Sequence, residues 1–185
     1  MTPFVSRAGQ KLDHALTVFG SDVKDKICAD LGCSTGGFVD CLLQRGAKKV
    51  YAVDTAYGVL DWKLRKDGRV IVLERTNAMH AQLPEPVQIV TIDVGWTRQH
   101  NILPSARRML AEDGVVVTLI KPHYEAEAPQ LRRGVLAPEA LDAVLASVRS
   151  DAQSCGFAWI SSVVSPIKGR GGNVEVLALL RPGQP

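Results

Sequence analysis

Short apolar runs, bounded by glycine, proline or charged residues, alternate along the chain with segments whose apolar positions recur at helical spacing. Ser6-Arg7-Ala8-Gly9-Gln10-Lys11-Leu12 opens the first helical segment. Ser6 is a natural N-cap, Leu12, Ala15, Leu16 and Phe19 share one face, and Gly20 is the stop. The run 27–31 predicts a strand that ends in a Gly-rich turn, followed by a helix from about Gly37 to Gln44. Further strands are predicted at 50–54, 70–73, 87–93 and 115–120, the last cut off by Pro122. Helical patterns at 61–66, 103–111 and 138–154 separate them.

Strands alternating with helices imply parallel βαβ units in a doubly wound α/β sheet. The end of the chain breaks that rhythm. Segments 157–164 and 174–180 are joined by residues 165–173, too few for a crossover helix, so they should pair antiparallel. The expected fold is therefore a seven-stranded, mostly parallel sheet with its last strand antiparallel and helices on both faces. That is the layout of Rossmann-like methyltransferases. No repeat and no linker is visible, so residues 1–185 read as one domain, with an N-terminal helix over 1–20 that carries Lys11.

With 185 residues, 46% of them hydrophobic and 22% charged, the chain can bury a sizeable core, which excludes a disordered or low-complexity polymer. The net charge of +3 is compatible with a nucleic-acid partner and too small to argue for one. No apolar run reaches the roughly 18–20 residues of a membrane span, and the N-terminus has no signal-peptide pattern. Cys28, Cys33, Cys41 and Cys155 form no CxxC pair, and His14, His80, His100 and His123 are scattered. A reduced, cytoplasmic chain without a structural metal is the expectation.

The turn Asp30-Leu31-Gly32-Cys33-Ser34-Thr35-Gly36-Gly37 stands at the carboxyl end of a predicted strand, where open parallel sheets bind ligands. Its glycines let the backbone approach a ligand, and the N–H groups at the helix start suit a carboxylate. It is neither GxGxxG nor a P-loop, which argues against a dinucleotide and against triphosphate hydrolysis. Asp30 before the turn and Asp54 ending the second strand fit S-adenosylmethionine, the first toward its amino-acid end and the second toward its ribose hydroxyls. The alternative is a packing turn with a solvated acid. Asn77 stands where the adenine would lie, and a turn-forming role is the equal alternative.

Lys11, Asp93, Lys121 and Glu175 are placed to converge above the sheet, Asp93 and Lys121 ending the fourth and fifth strands and Glu175 within the last. Taken singly, each could equally be a solvated side chain. Read in order, Ser6–Leu12, Asp30–Phe38, Tyr51-Ala52-Val53-Asp54, Glu74-Arg75-Thr76-Asn77-Ala78, Ile120-Lys121-Pro122 and Gly172-Asn173-Val174-Glu175 resemble the FtsJ-type (RrmJ-like) RNA ribose 2′-O-methyltransferases, and most closely the hemolysin-labelled TlyA branch. The resemblance spans nearly the whole chain. It implies S-adenosylmethionine as cofactor, held by the residues from Asp30 and Gly32, Cys33, Ser34, Thr35, Gly36 to Gly37, with Asp54 and Asn77. It also implies a Lys11, Asp93, Lys121, Glu175 tetrad and an RNA acceptor, ribosomal RNA or a ribosomal subunit.

A ribose hydroxyl is a weak nucleophile that must lose its proton as it attacks. A lysine serves as the base only when burial and a neighbouring cation favour its neutral form, a role assigned here to Lys121 with Lys11 beside it. Asp93 and Glu175 would orient the lysines and the hydroxyl. Chains of this branch usually carry a small RNA-binding domain ahead of the methyltransferase, whereas this one starts almost at the Ser-Arg-Ala-Gly motif. A separate RNA-binding partner, or another substrate, is the corresponding expectation.

Val94-Gly95-Trp96 and Pro122-His123-Tyr124-Glu125 depart from the Val-Ser-Phe and Pro-Gln-Phe-Glu common in the branch, at the substrate mouth. Trp96 could stack a nucleotide or fill the core, and Trp62 and Trp159 read as packing residues. Arg7, Lys168 and Arg170 are candidate phosphate contacts. Arg107-Arg108 and Arg132-Arg133 read as solvated faces or RNA contacts. A catalytically silent S-adenosylmethionine-binding module and a methyltransferase for a non-RNA acceptor are the competing functions. A membrane-lytic role lacks any supporting segment.

Overall fold

The computed structural model describes residues 3–183. The parallel strands are short, nearly continuous apolar runs because both faces of the sheet are covered. They are β1 (Ile27–Leu31), β2 (Lys49–Val53), β3 (Val70–Leu73), β4 (Val87–Ile92) and β5 (Leu110–Ile120). Later come a short hairpin of β6 (Leu131–Arg132) and β7 (Val135–Leu136), then β8 (Phe157–Val164) and β9 (Val176–Pro182). The main sheet has the order β3-β2-β1-β4-β5-β9-β8, and only β9 runs against its neighbours. The expected seven-stranded sheet with one reversed strand is therefore the observed one.

Two apolar layers sandwich it. On one face α1 (Ala8–Val18) contributes Leu12 and Leu16, and α2 (Gly37–Gln44) contributes Phe38, Val39 and Leu42. The short α3 (Trp62–Arg65) adds Leu64 to that layer. On the other face α4 (Gln99–Met109) brings Ile102, Leu103 and Ala106, and α6 (Leu141–Ser154) brings Val144, Val148 and Ala152. A single turn, α5 (Pro122–Glu125), follows β5. The strand order reverses between β1 and β4, so their carboxyl ends open a crevice rather than being bridged by a loop.

Several boundaries differ from expectation for identifiable reasons. Ser6 does not cap α1 through its side chain. Arg7 is the N-cap, and the Ser6 carbonyl accepts the Gly9 N–H at 3.2 Å. Helix α4 begins at Gln99, ahead of the expected start, because Glu125 accepts the Gln99 N–H at 2.9 Å and holds the first turn. Its Pro104 lies inside the helix, and the His100 carbonyl four residues earlier, which a proline cannot engage, accepts the Cys155 thiol at 3.8 Å. Glu175 precedes β9 by one residue instead of lying within it, although its carbonyl still accepts the Ser165 N–H at 2.8 Å. The β6–β7 hairpin had no periodic signal to announce it.

Candidate active site in the β1–β4 crevice

A cavity of about 440 Å³ opens where β1 and β4 diverge, lined among others by Asp30, Ser34, Asp54, Asn77, Asp93 and Lys121. Its floor is the turn after β1. Gly32 has φ +86°, and a Cβ there would lie 2.6 Å from the Asp93 carbonyl oxygen, so the turn and the end of β4 approach closely only because this residue is glycine. The N–H groups of Gly32 and Cys33 both donate to the Val53 carbonyl, at 2.9 and 3.0 Å, tying the turn to β2. Gly37 has a different task. A Cβ on it would meet Ser6 Oγ at 2.2 Å, so its bareness lets the segment carrying Lys11 lie against α2.

The two acids of this half are held differently. Asp54 accepts the Ser34 N–H through Oδ2 at 2.7 Å and the Ala56 N–H through Oδ1 at 2.8 Å. It thus fixes the turn while facing the cavity. Asp30 is 1% exposed; its Oδ1 accepts the Thr91 hydroxyl at 2.7 Å and its Oδ2 is buried with no partner. Burial pushes the Asp30 carboxyl up to about 8, with Asp93 and Asp54 adding to the rise and the Thr91 bond opposing it. A buried carboxylate oxygen without a donor, on a cavity wall, is a place for a cation. A cationic amino group at one end and a vicinal diol at the other are features of S-adenosylmethionine, and Asp30 and Asp54 fit them.

Asn77 lines the cavity, but its Oδ1 accepts the Met79 N–H at 2.9 Å, so the turn-forming role is real. Cys33 is buried, and burial raises its thiol far above the usual range, leaving it inert as a nucleophile.

The other half of the crevice carries lysines, each joined to an acid. Lys121 Nζ lies 2.6 Å from Asp93 Oδ1 and donates to the Val94 carbonyl at 3.1 Å. Lys11 donates to Glu175 Oε2 in a buried ion pair that ties α1 to the segment before β9. Lys121 and Asp93 line the cavity, and Lys11 and Glu175 are not among its lining residues. His123 links the two pairs electrically. Burial, reinforced by Lys121 and opposed by Glu175, holds it below the ordinary histidine value, and its Nδ1 is buried without a partner.

Sequence reasoning missed the roles of three residues that its motifs contained. His123 is one. Asn173 is another: its Oδ1 accepts the Leu136 N–H at 3.0 Å and its Nδ2 donates to the Gly134 carbonyl at 3.2 Å, docking the hairpin beside Glu175. Glu125, the cap of α4, is the third; burial pushes its carboxyl up to about 7. A polar residue close to Lys121 is the only signal that could have pointed to His123 and Glu125. Trp96 is 84% exposed and stacked on Tyr124 with centroids 4.8 Å apart, so it does not fill the core. Trp62 is also exposed, which corrects its reading as a packing residue, while Trp159 packs partly buried against the core. Arg7 and Lys168 are exposed, and Arg132 pairs with Glu139. The side chain of Arg170 lies outside the described residues.

Comparison with known proteins adds the lineage. The FtsJ-like methyltransferase family matches over residues 4–181. Hemolysin A of Brachyspira hyodysenteriae is 41% identical over 95% of this chain and 75% of its own length. The 16S/23S rRNA (cytidine-2'-O)-methyltransferase TlyA of Mycobacterium tuberculosis (strain ATCC 25618 / H37Rv) is 39% identical over 96% of this chain and 68% of its own. A solved structure from Streptococcus thermophilus, described as a hemolysin, superposes with a TM-score of 0.96 at 40% identity. It covers 100% of this chain and 69% of that one.

Proposed function

Since the chain belongs to the FtsJ-like methyltransferase family, we propose that it transfers a methyl group from S-adenosylmethionine to a ribose 2′-hydroxyl of RNA, with ribosomal RNA as the acceptor. The carrying observation is the Lys121–Asp93 pair on the wall of the same cavity whose floor is the turn after Asp30. A module that only bound the cofactor would have no use for a lysine held there. Relatives named as rRNA 2′-O-methyltransferases support RNA as the acceptor over a small molecule. The described chain is read as one methyltransferase domain. Its free cysteines and an RNA acceptor suit a cytoplasmic setting. Among the described residues no helix is long and apolar enough to cross a membrane.

When bound, S-adenosylmethionine supplies an electrophilic methyl group. The residues Asp30 and Gly32 to Gly37, with Asp54 and Asn77, would hold it. Lys121 Nζ is assigned as the base that takes the proton from the 2′-hydroxyl as that oxygen attacks, and Asp93, 2.6 Å away, balances the ammonium that results. Glu175 and Lys11 are assigned to orienting the hydroxyl and fixing the local field. Trp96 on Tyr124 gives the mouth an aromatic wall suited to a base.

The test is methyl transfer from labelled cofactor to total RNA and to ribosomal subunits, with digestion to nucleosides. Label should appear in 2′-O-methyl nucleosides. Lys121→Met should lower the rate by about 10²–10⁴-fold while cofactor binding persists. Transfer that survives Lys121→Met, or label found only in protein or base, would sink the reading.

A further inference from the structure

A second surface, next to the cavity and outside the transfer centre, combines features that rarely occur together. Among the exposed large apolar side chains, Tyr57, Val59 and Trp62 crowd into one loop and the start of α3. Each ring has a cation over it. The Arg75 guanidinium lies 4.3 Å from the Tyr57 centroid, and Lys66 Nζ lies 4.9 Å from that of Trp62. Even so, Tyr57 remains 69% and Trp62 68% exposed.

Neighbouring cations on the same stretch are neutralised: Lys63 by Asp40, Arg65 by Glu74 and Arg69 by Asp67. Among the described residues Arg75 and Lys66 pair with no carboxylate. Their charge is therefore available to an anion.

The surface is also held in place. The Arg75 N–H donates to the Ala56 carbonyl at 3.2 Å, and the Gly58 N–H donates to Glu74 Oε1 at 2.9 Å. The Asp61 N–H donates to the Thr35 carbonyl at 3.1 Å, keying the loop onto the cofactor turn. Thr55 and Thr76, on the same two loops, line the cavity itself.

An apolar patch alone would suit a protein, and bare cations alone would suit any anion. Exposed ring faces interleaved with unpaired guanidinium and ammonium groups suit unstacked nucleotides, whose bases stack while their phosphates are neutralised. We infer that Tyr57 with Arg75 and Trp62 with Lys66 form a stacking platform for single-stranded nucleotides of the RNA acceptor, outside the one being methylated. The inference rests on the RNA-methyltransferase reading above and adds a path for the strand.

The experiment is steady-state 2′-O-methyl transfer to ribosomal RNA by the full chain. Tyr57→Ser and Trp62→Ser should each raise the KM for RNA about ten-fold, with kcat, cofactor affinity and thermal midpoint unchanged. Arg75→Gln and Lys66→Gln should each lower the slope of log affinity against log salt by about 0.7. If the unmutated chain methylates RNA and the ring variants keep its KM and the cation variants its salt slope, the platform assignment is overturned and the functional reading stands. Loss of association with another protein at unchanged RNA KM would overturn it in favour of a protein partner. If the unmutated chain methylates no RNA, the functional reading fails and takes the platform with it.

Discussion

The two halves of the crevice treat their acids in opposite ways. On the β1–β2 side Asp54 is held by backbone N–H groups and Asp30 by a single hydroxyl, so among the described residues no cation neutralises either. On the β4–β5–β9 side Asp93 and Glu175 each hold a lysine. A buried carboxyl left without a cation, as at Asp30, stays protonated at neutral pH until a cationic ligand completes the pair. Charge compensated inside the protein makes a set of groups whose positions survive the arrival and departure of ligands. The first half is suited to retaining a cationic cofactor, the second to handling a proton.

The largest effect that would break this contrast concerns the buried Lys11–Glu175 pair. Lys11→Met leaves Glu175, 5% exposed, with its charge uncompensated. The expected cost is about 3 kcal/mol in unfolding free energy, and Lys11→Met/Glu175→Gln should recover most of it. Denaturant titration of the two variants checks this; equal losses would mean that the lysine acts through packing alone.

Next in size is Asp30→Asn, which should weaken S-adenosylmethionine about 10- to 100-fold. The same change should stabilise the ligand-free chain at alkaline pH. With its carboxyl raised to about 8, Asp30 contributes stability that is full below its unfolded value of about 4 and is lost as pH rises through 8. Asparagine removes that loss, so the thermal midpoints of the two proteins should diverge as pH rises from about 4 to about 8 and run parallel beyond it. Calorimetry in two buffers should also detect a proton released at neutral pH when the cofactor binds the parent chain, and none for Asp30→Asn.

The smallest expected change sharpens the comparison further. The Thr91 hydroxyl is the one hydrogen bond opposing the rise at Asp30. Thr91→Val should raise that carboxyl again and weaken cofactor binding about three-fold at neutral pH, with the two affinity curves converging in alkali. Parallel curves across the pH range would show that Thr91 has no electrical influence on Asp30.

Much of this arrangement is legible in the amino-acid sequence. β1, α2 and β3 lie where the apolar runs and the Gly-rich turn put them, because a strand covered on both faces needs an unbroken apolar run. Trp62 shows the limit. Its neighbours Leu60 and Leu64 are buried, and a helix of one turn leaves no periodicity from which to tell which side faces out. Distance along the chain is a second limit: it hid the roles of Glu125, whose partner Gln99 is 26 residues away, and of Asn173, whose partner Leu136 is 37 away.

Sequence by itself determined which strands exist, where the glycine turn falls and which ionisable residues stand at strand ends, since backbone sterics and apolar periodicity are local. Only the tertiary structure decided which acid is neutralised and which is left waiting. Lys11 meets Glu175 across 164 residues and Asp30 meets Thr91 across 61. The charge on a buried group depends on desolvation and on neighbours delivered by the fold, and neither is written within reach of the residue itself.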